Sequence, residues 1–286
     1  MRLGFSSMAL EADMLFKRGP FPTERGLLDA MLEWARKSME FGEENAFDFV
    51  ELIIESPLID NDKNLAELRA AIESFKIPVN FHAPFIDNNI IDFDYQIREG
   101  SIKEYEIAID LAGSIKRPPA TITIHPGRMQ TFLLPIWGAV RGTYFEQAMR
   151  RLGTRKRPAQ TSLCVEQLPM NSNFFNKIDD IVAIAAKDYF KQFRLTLDTS
   201  HMWICEDMAG FDRYFKTLGP SIVNMHFVDN KAKDNDPHVP VGKGVIDFEE
   251  ITRCMKKFKY DKDVTIEHGG TAELLEARDL VKSLLK

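Results

Sequence analysis

Eight short strand-like runs recur along the chain, and segments with apolar residues three and four apart lie between them. The runs are RLGFSS (2–7), DFVELIIE (48–55), IPVNFHAP (77–84), ATITIHPG (120–127), SLCVEQLP (162–169), RLTLDTSH (194–201), IVNMHFVD (222–229) and DVTIEHGG (263–270). Helical spacing is clearest over Leu27–Phe41, Leu65–Phe75, Ile102–Ile115, Ile178–Tyr189, Phe248–Phe258 and Ala272–Leu285, and weaker over Tyr144–Leu152 and Phe211–Leu218. Eight strands alternating with eight helices predict one (β/α)8 TIM barrel over residues 1–286. A doubly wound open sheet is the alternative. The barrel is favoured because the eight units use the whole chain and no GxGxxG opens the first of them.

Alternate side chains of a strand point to opposite faces. One phase is large and apolar: Val79 and Phe81, Ile122 and Ile124, Leu163 and Val165, Leu195 and Leu197, Val223 and Met225, Val264 and Ile266. This phase is expected under the helices. The other is small or polar, and in each of these six strands its last member is His, Asp or Glu: His82, His125, Glu166, Asp198, His226 and Glu267. Active sites of such barrels are built at the C-terminal rim, so these six are expected to converge at one level in one mouth.

Imidazoles and carboxylates without a thiolate make an oxygen and nitrogen donor set, suited to zinc, manganese, cobalt or magnesium. Burying the carboxylates uncompensated would be unfavourable, and a divalent cation is their natural neutraliser. Three further residues extend the set. His201 follows Asp198 by three in DTSHMW, and one short loop would aim both inward. Asp236 and His238 sit two apart around Pro237 in the loop after the seventh strand. Glu51 and Glu55 share the inward phase of the second strand, with Glu55 placed to support a ligand histidine. His268 is on the outward phase and is expected to be structural, and Cys205 is expected to be a plain loop thiol.

Composition narrows the partners. The net charge of −6 argues against a protein that coats nucleic acid, though not against a small basic groove. Arg128, Lys231, Lys233 and Lys243 fall in rim loops, whereas the tract RRLGTRKR (150–157) belongs to the opposite face. The apolar stretch around residues 131–140 contains Pro135 and Gly138 and is far shorter than the roughly 20 residues of a membrane span. Acidic residues at Glu11 and Asp13 interrupt any secretory signal, and three cysteines without a CxxC fit a reducing cytoplasm. No nucleotide cofactor is expected. The segment RMQTFLLPIWGAVRG (128–142) is long and apolar for a connection, as a lid, substrate wall or oligomer contact would be.

HAPF at His82, HPG at His125, VEQLP at Glu166, LDTSH at Asp198 and His201, HFVDN at His226, DPHVPVGKGVIDF at His238 and TIEHGG at Glu267 resemble the xylose-isomerase-like TIM-barrel superfamily over nearly the whole chain. That superfamily includes single-metal sugar isomerases and epimerases, and the endonuclease IV enzymes (AP endonuclease family 2) with three zinc ions. The resemblance to endonuclease IV implies one zinc on His82, His125 and Glu166, a second on Glu166, Asp198, His226 and Glu267, and a third on His201, Asp236 and His238. The implied activity is hydrolysis of a phosphodiester, damaged DNA in a repair enzyme, by metal-activated water that Glu166 orients. The chain departs from that branch in its opening loop, GFSSMALEADML, and in Gln167 where endonuclease IV has Asn. VEQLP and GKGVIDF are closer to the isomerase relatives. The alternative is therefore a sugar or sugar-phosphate isomerase or epimerase with one manganese, cobalt or magnesium. In it Glu166 and Glu267 move a proton through an enediol while His201 holds a substrate oxygen. A non-catalytic metal- or sugar-binding barrel is the minor alternative.

Overall fold

The computed structural model describes residues 1–11, 15, 17–268 and 270–286, so Ala12, Asp13, Met14, Phe16 and Gly269 lie outside the described residues. Eight parallel strands close into a barrel in sequence order: β1 (Arg2–Ser6), β2 (Phe49–Ile53), β3 (Val79–His82), β4 (Thr121–Ile124), β5 (Ser162–Glu166), β6 (Arg194–Asp198), β7 (Ile222–Phe227) and β8 (Asp263–Ile266). β8 pairs with β1 from Arg2↔Asp263 to Phe5↔Ile266, which excludes the open sheet.

The two strand phases divide as their chemistry requires. The apolar phase lies under the helices and is buried, Val223 alone being partly exposed. Burying such side chains contributes roughly 1.5–3 kcal/mol each, and their continuity around the barrel welds the helical layer to the sheet. The inward phase is also largely buried, Ser162 and His125 being partly exposed, and is cross-linked by hydrogen bonds. The hydroxyls of Thr123 and Thr196 lie 3.0 Å apart, Thr265 donates to Asn224 Oδ1 at 3.0 Å, and Asn224 Nδ2 donates to Glu51 at 2.9 Å. These cross-links within the polar interior give the mouth a stiff floor.

The helices follow the spacing of the sequence, with ends that differ by a few residues. Glu24–Glu44, Asp62–Glu73, Tyr95–Ser114, Arg141–Thr154, Ile178–Ala185, Ala209–Leu218, Phe248–Lys257 and Thr271–Leu285 surround the sheet. Two connections are more ordered than expected. Residues after Asp198 form the helix Thr199–Glu206 rather than a loop, so Cys205 is a half-buried helical thiol. The apolar segment after β4 folds into a 3-10 turn, Thr131–Leu133, and a short helix, Leu134–Trp137. No helix among the described residues is long and apolar enough to cross a membrane.

Candidate metal centre

At the C-terminal mouth the nine residues named above fall into three groups of potential ligand atoms, each group within 4.8 Å. They are His82, His125 and Glu166; Glu166, Asp198, His226 and Glu267; and His201, Asp236 and His238. The strands place them in a particular way. Glu166 and Asp198 are the last residues of β5 and β6, and His82 is the last of β3. His125 and Glu267 stand one residue beyond β4 and β8, because the register steps around the barrel: His82 pairs with Thr123, and Asp198 with His226. The side chains meet even though their positions along the strands are staggered.

Each ligand histidine so supported turns one ring nitrogen to an oxygen outside its group, leaving the other for the centre, the arrangement that fixes a metal-binding tautomer. His82 Nδ1 faces Ala83 O at 2.9 Å, and its Nε2 faces Glu166 at 3.3 Å. His201 Nδ1 faces Gln167 O at 2.8 Å, and its Nε2 faces Asp236 at 2.8 Å. His226 Nε2 lies 2.9 Å from Glu51, while its Nδ1 is 2.6 Å from Glu267 and 3.3 Å from Glu166. Even so, His226 Nδ1, Asp198 Oδ2 and His238 Nδ1 are buried without a hydrogen-bond partner. Buried ligand atoms brought together without hydrogen-bonding geometry fit a cation.

Mutual charge dominates the electrostatics. Burial lowers His201, but Asp198 and Asp236 lift it to about 10. Burial likewise opposes charge on His82 and His238, yet Glu166 in the first case and Asp236 in the second carry both to about 9. Against its own burial, His226 is held well above the ordinary value by Glu267 and Glu51. Burial raises Glu267, but His226 overrides it and brings the carboxyl down to about 2. For Asp198 burial prevails over His201 and pushes it up to about 7, and burial lowers His125. Protons on imidazoles are thus balancing the carboxylates, a task a divalent ion would take over.

The loop carrying Asp236 and His238 is pinned from below. Buried Asp229 accepts hydrogen bonds from the backbone N–H groups of Gly242 at 3.0 Å, Gly244 at 2.8 Å and Ile246 at 3.0 Å. A Cβ at Gly244 would stand 2.2 Å from Asn230 O, so no larger residue fits that turn. Ser200 donates to Asp236 Oδ1 at 2.7 Å and receives Asn230 Nδ2 at 2.9 Å. His201 is the third residue of its helix, whose N-cap Asp198 accepts from His201 N at 2.7 Å. One carboxylate therefore starts the helix and offers its second oxygen to the centre.

Glu55 does not support a ligand histidine. It accepts the backbone N–H groups of Phe85 and Ile86 at 2.5 and 2.9 Å, and Glu51, two turns of the pleat deeper, bonds His226 instead. The inward phase of β2 included Glu51, but its partner on β7 is 175 positions away and only barrel closure brings them together. Glu51→Gln keeps the shape but presents an amide toward Asn224, which itself donates. It is expected to weaken metal affinity about 10–100-fold. A competitive chelator titration reads this, and unchanged affinity would reduce Glu51 to a packing role. His268 is fully buried and outside the three groups.

Most of the basic features are paired with acids. Arg150 pairs with Glu146, Arg151 with Glu99 and Glu106, and Arg155 with Asp110. At the rim, Lys233 pairs with Asp207, Lys243 with Glu276, and Arg128 faces Asp87 at 3.9 Å. Little cationic surface is left to follow a phosphate backbone.

A closed parallel barrel with a ring of imidazoles and carboxylates at its C-terminal mouth defines a TIM barrel of the xylose isomerase type. The chain belongs to the xylose isomerase-like TIM barrel family, whose model matches residues 39–285. An uncharacterised protein of Methanocaldococcus jannaschii is 22% identical over 253 residues, 87% of this chain and 84% of that one. Among solved structures, a D-tagatose 3-epimerase-like protein superposes with a TM-score of 0.79 at 20% identity, over 100% of this chain and 97% of its own. A 3-keto-D-glucoside 4-epimerase from E. coli does so at 0.72 and 19% identity, over 99% of both chains. These whole-chain likenesses are with sugar epimerases and overturn the expectation of a phosphodiester-hydrolysing AP endonuclease acting on damaged DNA. The paired rim cations give the physical reason.

Proposed function

We propose that the protein is a divalent-metal-dependent sugar epimerase or isomerase. The observation that carries this reading is the buried set Glu166, Asp198, His226 and Glu267 beside a cavity of about 440 Å³ that Glu166, Glu267 and His201 also line. Two carboxylates on separate strands face one small space, the arrangement proton shuttling on a sugar requires. Glu166, Asp198, His226 and Glu267 would hold the catalytic ion, and the two flanking triads supply donors for as many as two more, zinc being the best match to their nitrogen content. When bound, the ion supplies Lewis-acid polarisation of a sugar carbonyl and the adjacent hydroxyl.

The remaining work belongs to side chains. One of Glu166 and Glu267, ionised, accepts the proton from the carbon beside the carbonyl, leaving an enediolate. The other, entering the cycle as the carboxylic acid, gives its proton to the opposite face of that carbon for epimerisation, or to its neighbour for isomerisation, and the two carboxyls exchange protonation states. His201 would hold a substrate oxygen at the wall of the cavity through Nε2, exchanging its contact with Asp236 for the substrate while Gln167 O fixes the ring through Nδ1. Phe85, Leu168 and Pro169 complete the wall and limit water around the enediolate.

The test is solvent-deuterium exchange followed by NMR. D-tagatose, D-psicose and a 3-keto-glucoside are each incubated with protein loaded with manganese, cobalt or zinc. At least one sugar is expected to gain deuterium at the carbon beside its carbonyl. Absence of exchange with every sugar and metal would remove the reading.

A further inference from the structure

Most large apolar side chains that remain exposed gather at one sector of the rim: Ile86, Phe93, Ile97, Phe132, Ile136 and Met170, from the segments that follow β3, β4 and β5. Between the first two of these segments runs a second cavity of about 440 Å³. Arg128 and Gln130 line both this groove and the mouth, so the two spaces adjoin across these two side chains. Buried Ile91 and Met129 form the groove's floor, and Phe93, Ile97, Phe132 and Leu133 form its lip.

The groove is held in shape without a ligand. Asn89 clamps the wall from both sides, donating to Arg128 O at 2.9 Å and accepting from Arg128 N at 3.0 Å. Asn173 Nδ2 donates to Met129 O at 2.9 Å, and Trp137 stacks on Phe93 with ring centroids 6.0 Å apart. A Cβ on Gly127 would lie 2.6 Å from Asn89 Oδ1, so the junction between mouth and groove depends on that glycine. The lining charges are Asp87, Asp92 and Arg128, and Arg128 faces Asp87. One opposed cation among acids is a poor seat for a phosphate, whereas a floor of Ile and Met with aromatic lips suits an uncharged apolar ring.

From this we infer that the substrate is a keto-glycoside, a sugar with a ketone on its ring and an aromatic or alkyl aglycone, for which plain glucosides serve as unreactive binding analogues. The sugar ring occupies the mouth, and the aglycone crosses Arg128 and Gln130 into the groove. The assignment rests on the mouth being a sugar site, as proposed above. Adjacency to that mouth selects this occupant over a second copy of the chain, because a substituent on a sugar held in the mouth meets the groove past Arg128 and Gln130 alone.

Calorimetric titration of the metal-loaded full chain with phenyl and methyl glucosides, both anomers of each, tests it. For at least one anomer the phenyl compound is expected to bind about tenfold tighter or better than the methyl compound. Phe132→Ser combined with Ile97→Ser is expected to abolish that preference while leaving methyl glucoside affinity unchanged. Phe132 is 73% and Ile97 45% exposed, and the Phe93–Trp137 stack is left intact, so the melting temperature should hold. Equal affinities, no binding of the phenyl glucosides, or a preference that survives in the double variant would overturn the inference. So would sedimentation showing a dimer that the double variant dissociates. The sugar reading fails separately: a phenyl preference without deuterium exchange on any sugar keeps the groove and removes the epimerase.

Discussion

Glu267→Gln is expected to slow interconversion of the sugar epimers by at least about a thousandfold while the metal stays bound, the range ascribed to loss of a general acid or base. The substitution is nearly isosteric, and the amide oxygen still offers a donor atom to the group it shares with Glu166, Asp198 and His226. It cannot accept a proton. Without metal His226 brings the Glu267 carboxyl down to about 2 despite burial, and a bound cation would take over that charge and keep the base ionised. A two-base shuttle makes a sharper demand than slow turnover alone. With Glu166 intact, one epimer should still exchange its proton with solvent, because that proton faces the surviving carboxylate. The other should not exchange, and neither should convert. Glu166→Gln is expected to reverse the pattern. If both variants lose exchange from both epimers in equal measure, with metal content unchanged, the two-base assignment is wrong.

The barrel and the side chains gathered at its mouth are legible because strand phase is periodic. Strand phase separated Ile122 and Ile124 from Thr121 and Thr123, and that alternation reappears as helix-facing and interior side chains. The same phase led from Glu166 to Asp198 and His226, which the structure brings within 4.8 Å together with Glu267. What escaped was anything set by distance in three dimensions. The stagger of a closed barrel put His125 and Glu267 past their strands rather than at their ends. Glu51 was passed over for Glu55 because only closure reveals that β2 reaches His226 on β7. Arg151 reads as part of a basic tract, yet its partner Glu106 lies 45 positions away. The residues after Asp198 read as a short loop, but its own side chain caps the helix that they form.

The reaction was misread for a related reason. A donor set specifies which ions a mouth can hold, and nine donors in three groups are as compatible with hydrolysis as with proton shuttling. The choice of substrate lies in the walls. Here they are Phe85, Leu168, Pro169 and the apolar segment after β4, residues with no spacing rule to announce them. Acids paired with Lys233 and Lys243 and facing Arg128 weaken the field that a nucleic acid would need, and pairing is a property of the fold rather than of composition.

Removing metal with a chelator should bring deuterium exchange to background, a loss of about ten-thousandfold or more. Lewis-acid polarisation and the charge balance of Glu166, Asp198 and Glu267 disappear together. Readdition should restore it, and the melting temperature should climb with metal concentration because only the folded chain assembles the donors. The pH dependence follows from the imidazoles. Without metal, His82 and His238 sit near about 9 and His201 near about 10, so all three carry protons at neutral pH. A ligand nitrogen must be neutral, so binding expels those protons and affinity falls as pH falls, roughly tenfold per pH unit for each proton released. Calorimetry in buffers of different ionisation enthalpy counts them. Metal analysis then separates the groups: His238→Ala should lower occupancy of the outer triad and leave the ion at Glu166, Asp198, His226 and Glu267 in place. Metal affinity independent of pH between about 6 and 8 would show that these imidazoles are not the ligands.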